Sequence, residues 1–251
     1  MISAVPVIRI EQALKRHESP GGAFELQIPA MGLSAGEVCV VAGSSGCGKT
    51  TLLDVLGCIS RFTRCKRFEL YNEGKTLPLH RMSGRRLADL RRHHIGYILQ
   101  QGGLLPYLTA WENILLPLQM AGKLHFRQEA HRLAAQLGVA DLLNKRPAEL
   151  SIGQRQRMCI IRALAGRPSL LLADEPTGAL DPVSAAEVRA ELLYAARATN
   201  ATTVIVTHDV ALFRPVADRL LGFTVSRTGN TICSVLHEEA APLLQEGRTQ
   251  R

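Results

Sequence analysis

Four short apolar runs recur along the 251-residue chain: "VCVVA" at 38–42, "IGYIL" at 95–99, "LLLA" at 170–173 and "TVIV" at 203–206. Runs that are apolar at nearly every position predict strands buried on both faces. Alternating with helical stretches, they predict a parallel sheet covered on both sides. Two earlier stretches, 7–10 and 24–28, predict an antiparallel addition at the sheet edge. Between Gln100 and Arg167 the apolar period becomes helical, as in "RQEAHRLAAQLG", and no strand is predicted. The expectation is a single α/β domain: a core from 1–99 and 168–235, a helical subdomain at 100–167, and a tail at 236–251. That tail, "LHEEAAPLLQEGRTQR", reads as a short helix with a frayed end. The sequence has no internal repeat or low-complexity tract.

Composition narrows the class only slightly. Hydrophobic residues at 46% with charged residues at 21% fit a globular domain able to bury a core and exclude a disordered chain. Thirty Lys and Arg against 22 Asp and Glu give a net charge of +8, which favours anionic partners without choosing among nucleotides, nucleic acids and membranes. The six cysteines form no C-x-x-C pair and mostly sit in apolar runs, so neither a zinc site nor a disulfide framework is expected, and a reducing compartment is. The first residues do not read as a signal peptide, and no apolar run approaches the roughly 20 residues of a membrane span.

The stretch "GSSGCGKTT" (Gly43, Ser44, Ser45, Gly46, Cys47, Gly48, Lys49, Thr50, Thr51) follows the first apolar run directly. It fits G-x-x-x-x-G-K-[ST], between a predicted strand and the helical pattern "TLLDVLG", which is the context a phosphate-binding loop requires. Glycines let backbone N–H groups turn toward phosphate oxygens, because no Cβ blocks the approach. The helix start adds the positive end of its dipole. Lys49 supplies a full charge to the β- and γ-phosphates, and the Thr50 hydroxyl is placed for Mg²⁺. These residues predict a nucleoside triphosphate site.

Two further stretches narrow the choice among kinases, GTPases and transport ATPases. In "SLLLADEPTGALD" a strand ends at Asp174, a candidate Mg²⁺ ligand, and Glu175 follows, placed to orient a water for attack on the γ-phosphate. Pro176 and Gly178 turn the chain, and Asp181 with Pro182 supplies the N-cap and first residue of a new helix. In "LSIGQRQR", Ser151 and Gln154 form a capping box, leaving Gly153 and a helix N-terminus free to face an anion.

With these stretches together, the chain resembles the ATP-binding cassette family, whose signature is usually written L-S-G-G-Q. The resemblance runs from about Val7 to Val235. It implies a P-loop NTPase core with a mainly parallel sheet, an antiparallel edge and an inserted helical subdomain. It implies ATP and Mg²⁺ as ligands, with 43–51 as the Walker A loop and Thr51 at the α-phosphate. Gln100 resembles the Q-loop glutamine, reaching Mg²⁺ and the attacking water. Asp174 and Glu175 resemble the Walker B pair, Glu175 being the general base. Asp181 resembles the D-loop aspartate that crosses to a partner subunit, and His208 the switch histidine at the γ-phosphate. Ser151, Gly153 and Gln154 would bind ATP held by a second copy in a head-to-tail dimer. Two positions depart from the pattern. Ile152 replaces the first signature glycine while Ser151 and Gly153 are retained, so hydrolysis is expected, with impaired hydrolysis as the alternative. The adenine-stacking aromatic is replaced by His17, with Phe24 as a rival.

The stretch from Ile95 to Leu118, "IGYILQQGGLLPYLTAWENILLPL", and "DEPTGALD" resemble the subgroup of lipoprotein-releasing, macrolide-efflux and cell-division ATPases. That resemblance implies a bacterial export or envelope-remodelling ATPase on the cytoplasmic face of the inner membrane, docking separate permease subunits between Leu104 and Asn113. Two alternatives stay open: a soluble cassette acting on DNA or ribosomes, and a cassette that binds ATP only to dimerise. The first usually carries coiled-coil insertions or a second cassette, neither present here, so no nucleic acid partner is expected. A small-molecule kinase does not fit the signature helix.

Overall fold

The structure, a computed structural model, describes residues 7–72, 74–100 and 103–239. In chain order its elements are β1 (Ile8–Ser19), β2 (Gly22–Leu33), β3 (Val38–Ala42), α1 (Lys49–Leu56), β4 (Arg64–Asn72), β5 (Lys75–Pro78), α2 (Gly84–His94) and β6 (Ile95–Ile98). There follow α3 (Ala110–Met120), α4 (Arg127–Gln136), α5 (Ile152–Leu164), β7 (Leu170–Asp174), α6 (Pro182–Ala198), β8 (Thr202–Thr207), α7 (Val210–Phe213), β9 (Arg219–Thr228) and β10 (Thr231–Glu238). No helix among the described residues is long and apolar enough to cross a membrane.

The ten strands form one sheet in the order β5-β4-β1-β2-β10-β9-β3-β8-β7-β6. From β9 to β6 every pairing is parallel. On the other side, β1, β2, β4 and β5 pair antiparallel, and β10 joins this wing to β9. All five residues of β3 are buried, because the sheet is covered on both faces. Successive side chains alternate between the two layers. Val38, Val40, Leu171, Ala173 and Ile205 pack with α3–α6, while Cys39, Val41, Leu170, Leu172, Val204 and Val206 pack with α1 and the inner face of β1 and β2.

Register places the chemistry. Ala42 lies opposite Thr207, Asp174 opposite Val206, and Ile98 opposite Ala173. The segments leaving β3, β8, β7 and β6 therefore emerge side by side at the carboxyl edge of the parallel strands, where open α/β sheets hold their ligands.

The four apolar runs became strands within a residue or two of their expected limits, and between β6 and β7 the described chain is helical. The antiparallel wing is larger than the sequence pattern indicated, since β1 and β2 run for 12 residues each and β4 and β5 were not anticipated; nor were β10 and β9, which connect the wing to β3. In β4, "RCKRFELYN", charged residues alternate with Phe68 and Leu70, so no continuous apolar run marks the strand. The expected tail boundary is corrected as well: Leu236, His237 and Glu238 belong to β10, paired with β9, because Leu236 is needed in the core. The helix expected in the remainder of the tail lies outside the described residues, apart from Glu239.

Candidate active site

The loop between β3 and α1 is held from below by the antiparallel wing. The Ser234 hydroxyl of β10 donates to the Cys47 carbonyl at 2.5 Å. A Cβ on Gly43 would lie 2.4 Å from Cys47 Sγ and 3.0 Å from Phe223, so position 43 accepts only glycine without a shift. Gly48 has φ +107°, and a Cβ there would meet the Phe24 ring at 2.9 Å. It precedes α1 with no side-chain cap, so the first N–H groups of the helix are left to a ligand. Lys49 folds back along the loop, its Nζ donating to Gly43 O at 2.7 Å and Ser44 O at 3.1 Å. The ammonium is thereby fixed over the loop.

A cavity of about 460 Å³ opens beside it. It is lined by Ser45, Gly46, Gly48, Lys49, Thr50 and Thr51 of the loop and helix start together with Phe24, Gln100, Asp174, Glu175 and His208. Burial pushes the Asp174 carboxyl above its ordinary range, the Glu175 charge adds to this, and Lys49 opposes it. Burial raises Tyr97 as well, with the Asp174 and Asp54 charges adding to it, and burial raises Asp54 against the opposing charges of His17 and Lys15.

Glu175 begins the turn after β7 in the left-handed region, φ +45°, unusual for a residue with a side chain. Its N–H donates to Val206 O at 2.9 Å, and its carbonyl accepts from Gly178 N at 3.1 Å. The carboxylate is 8% exposed, whereas the His208 side chain is 66% exposed. Glu175 Oε2 accepts from the His208 N–H at 3.2 Å and lies 2.7 Å from His208 Nδ1. A carboxylate only accepts, so at that distance Nδ1 carries a proton and donates it to Glu175.

The other expected residues lie elsewhere. Gly43, Ser44 and Cys47 support the loop without lining the cavity, and the Cys47 side chain is buried. His17 pairs with Phe24 across β1 and β2 but does not line the cavity. Ser151, Gly153 and Gln154 stand apart at the start of α5. Ser151 Oγ accepts from Gln154 N at 3.2 Å, and Gln154 Oε1 accepts from Ser151 N at 2.9 Å, the reciprocal cap expected. Asp181 caps α6 through Val183 N and Ser184 N, both at 3.1 Å. The Ser184 bonds hold its carboxyl below the ordinary range. Among supporting residues, Ser234, Phe223 and Tyr97 escaped the sequence reading, because nothing local marks a strand residue that backs a distant loop.

With this geometry in place, comparison with known proteins decides the family. The sequence model described as ABC transporter matches residues 26–178. The chain belongs to the ABC transporter family. It is 40% identical over 198 residues to the macrolide export ATP-binding/permease protein MacB of Chromobacterium violaceum, covering 77% of this chain and 30% of that protein. It is 38% identical over 182 residues to the lipoprotein-releasing system ATP-binding protein LolD of Porphyromonas gingivalis, covering 72% of this chain and 81% of that one. The chain thus spans under a third of that macrolide-export relative and most of the lipoprotein-releasing one. Among solved structures it is similar to the ATP-binding cassette MJ0796 in a dimeric post-hydrolysis state bound to ADP and Pi. That match has a TM-score of 0.70 and 30% identity, and it covers 86% of this chain and 93% of that one. A second dimeric MJ0796 structure gives a TM-score of 0.72 at 31% identity.

Proposed function

We propose that this ABC cassette binds ATP in the cavity beside 43–51 and hydrolyses it to drive a bacterial export or envelope-remodelling transporter of the macrolide-efflux or lipoprotein-release type. The observation that carries the reading is the convergence of Lys49, Thr50, Gln100, Asp174, Glu175 and His208 on one cavity from four adjacent strand ends. The loop amides and Lys49 hold the phosphates. Thr50, Asp174 and Gln100 are oxygen donors that suit Mg²⁺. Bound there, Mg²⁺ neutralises charge between the phosphates. Glu175 acts as base: His208 occupies Oε2, which leaves Oε1 to accept a proton from the attacking water. Phe24 stacks on the adenine.

Ser151, Gly153 and Gln154 do not line this chain's own cavity and serve the ATP of a second copy, a reading supported by the dimeric state of the similar MJ0796 cassettes. A groove of about 510 Å³ between β6, α3 and α5, with exposed Ile59, Leu99 and Met120 on its walls, receives the membrane subunit. Tyr107, 68% exposed, stands on the docking loop. Asn113 braces that loop from within: it is 1% exposed, its Nδ2 donates to the carbonyls of Leu105, Leu108 and Thr109, and its Oδ1 accepts from Leu105 N. The working position is the cytoplasmic face of the inner membrane.

The test uses Glu175→Gln, which keeps the shape of the side chain but not its basicity. Turnover should fall by ~10²–10⁴, and dimers should accumulate with ATP and Mg²⁺ in sedimentation. Adding Ser151→Arg should abolish the dimer while nucleotide affinity stays within about twofold, since α5 does not line the cavity. Parental turnover in the first variant would remove Glu175 as the base. A normal ATP-dependent dimer in the second would reduce the start of α5 to a capped helix.

A further inference from the structure

The positive charge of the chain is not spread evenly. Between residues 57 and 94 there are ten Lys and Arg against three Asp and Glu, so this stretch carries +7 of the net +8. In the fold it comprises the loop after α1, the β4–β5 hairpin and α2. Arg61, Arg64, Arg81, Arg85 and Arg86 are all exposed. Among the described residues no carboxylate lies within 4.0 Å of any of the five. The acid on α2, Asp89, is already engaged by Arg92 and His93. Arg61 donates to the Met82 carbonyl at 2.6 Å, tying the loop to the approach to α2. Like charges gathered without counterions repel one another in the folded state, so the cluster costs stability unless an anionic surface neutralises it.

Two features select the anion. The patch is spread over a helix and a hairpin, a broad face suited to a surface and not to one small ligand. It is also continuous with the groove between β6 and α3: Ile59, 58% exposed, and Arg91 and Arg92 at the end of α2 line that groove directly. We propose that this face lies against anionic phospholipid headgroups beside the membrane subunit, so that the bilayer itself helps to seat the cassette. The placement rests on the groove's role above, but the lipid binding is measurable on the isolated chain. Juxtamembrane arginines act additively on such a surface and within about a Debye length, ~10 Å at 0.1 M salt.

The test is flotation of the full chain with vesicles of phosphatidylglycerol and phosphatidylcholine, against phosphatidylcholine alone. Binding should require the anionic lipid and weaken steeply as NaCl rises from about 0.05 to 0.5 M. The triple variant Arg81→Gln, Arg85→Gln, Arg86→Gln should bind about 100-fold more weakly, while Arg127→Gln, Arg197→Gln, Arg214→Gln, with the same charge change on other exposed faces, should bind nearly as the parent does. Nucleotide titration of each variant checks the fold and keeps the two readings separate: Lys49→Ala should bind ATP ~10- to 100-fold more weakly and still float. Equal binding to neutral vesicles, salt-independent binding, or parental binding by the first triple variant would overturn the proposal. So would tighter binding of a tRNA probe than of the anionic vesicles at the same salt, which would make this a nucleic-acid surface.

Discussion

Phe24→Ala separates the two candidates for the base-stacking residue and does so with a number. Phe24 lines the cavity with its ring set against Gly48, whereas His17 lies opposite it on β1 and does not line the cavity. Stacking a base on an aromatic ring contributes about 1–3 kcal/mol by alanine substitution. Part of the Phe24 ring is already committed to the phosphate loop, so the lower half of that range applies, about 1–2 kcal/mol, or roughly a 5- to 30-fold rise in the Kd for ATP. His17→Ala should change it less than twofold. Because Phe24 also buttresses Gly48, inorganic triphosphate is the necessary control: its affinity reports the loop alone and should change much less than that of ATP. Isothermal titration of both ligands with both variants gives the four values needed. If Phe24→Ala weakened triphosphate as much as ATP, its role would be support of the loop. If His17→Ala carried the larger effect on ATP, the assignment would be reversed.

Lys49→Ala removes the ammonium held over the loop by Gly43 and Ser44, and ATP affinity should fall ~10- to 100-fold, the scale of one or two hydrogen bonds to a charged group; an unchanged titration would exclude it from phosphate binding. Asp181→Ala should lower the unfolding midpoint at pH 7 by a few degrees, because the cap on α6 is lost. The Asp181 carboxyl is held below its ordinary range in the fold, so its contribution is present above the unfolded value near pH ~4 and is lost as pH falls through the folded value. Thermal melts should therefore show the gap between parent and variant closing on acidification, and a gap that widened would contradict the capping role. Gly96→Ala would put a Cβ 2.4 Å from the Ala163 carbonyl, backbone that cannot give way, and should destabilise by about 1–3 kcal/mol in chemical denaturation.

The parts of this protein legible in its sequence are those in which neighbouring residues make the feature by themselves. The run "VCVVA" reads as a strand because every position is buried, and "GSSGCGKTT" reads as a phosphate loop because glycines, lysine and threonine act within nine consecutive residues. The Ser151–Gln154 cap is equally local and formed as expected. What was hidden depends on pairing at a distance. Ser234 comes within reach of Cys47, 187 residues away, through the pairing of β10 with β2 on one side and with β9, the neighbour of β3, on the other. Which of the facing strand residues His17 and Phe24 lines the cavity is likewise something no spacing rule decides. The hairpin of β4 and β5 was missed for a related reason: charged residues on one face of a strand interrupt the apolar run that would announce it.

Ile152 shows how far local reading extends. The cap at the start of α5 uses only Ser151 and Gln154, so an isoleucine between them leaves the helix start intact. Its side chain is 49% exposed. The buried face of α5 is supplied by Met158, Cys159, Ile160, Ile161 and Leu164 further along, so Ile152 is not needed for the core. Behind it, Arg157 anchors the helix to Glu191 of α6 at 2.7 Å, and Gly153 lies near Leu180, just ahead of the Asp181 cap. The first turn of α5 is thus fixed in place by contacts that Ile152 does not share. A glycine at 152 would expose more backbone there; the isoleucine covers it with a branched apolar group. Its consequence must then fall on whatever approaches that helix start, and in the dimer proposed above that is the ATP held by the other copy.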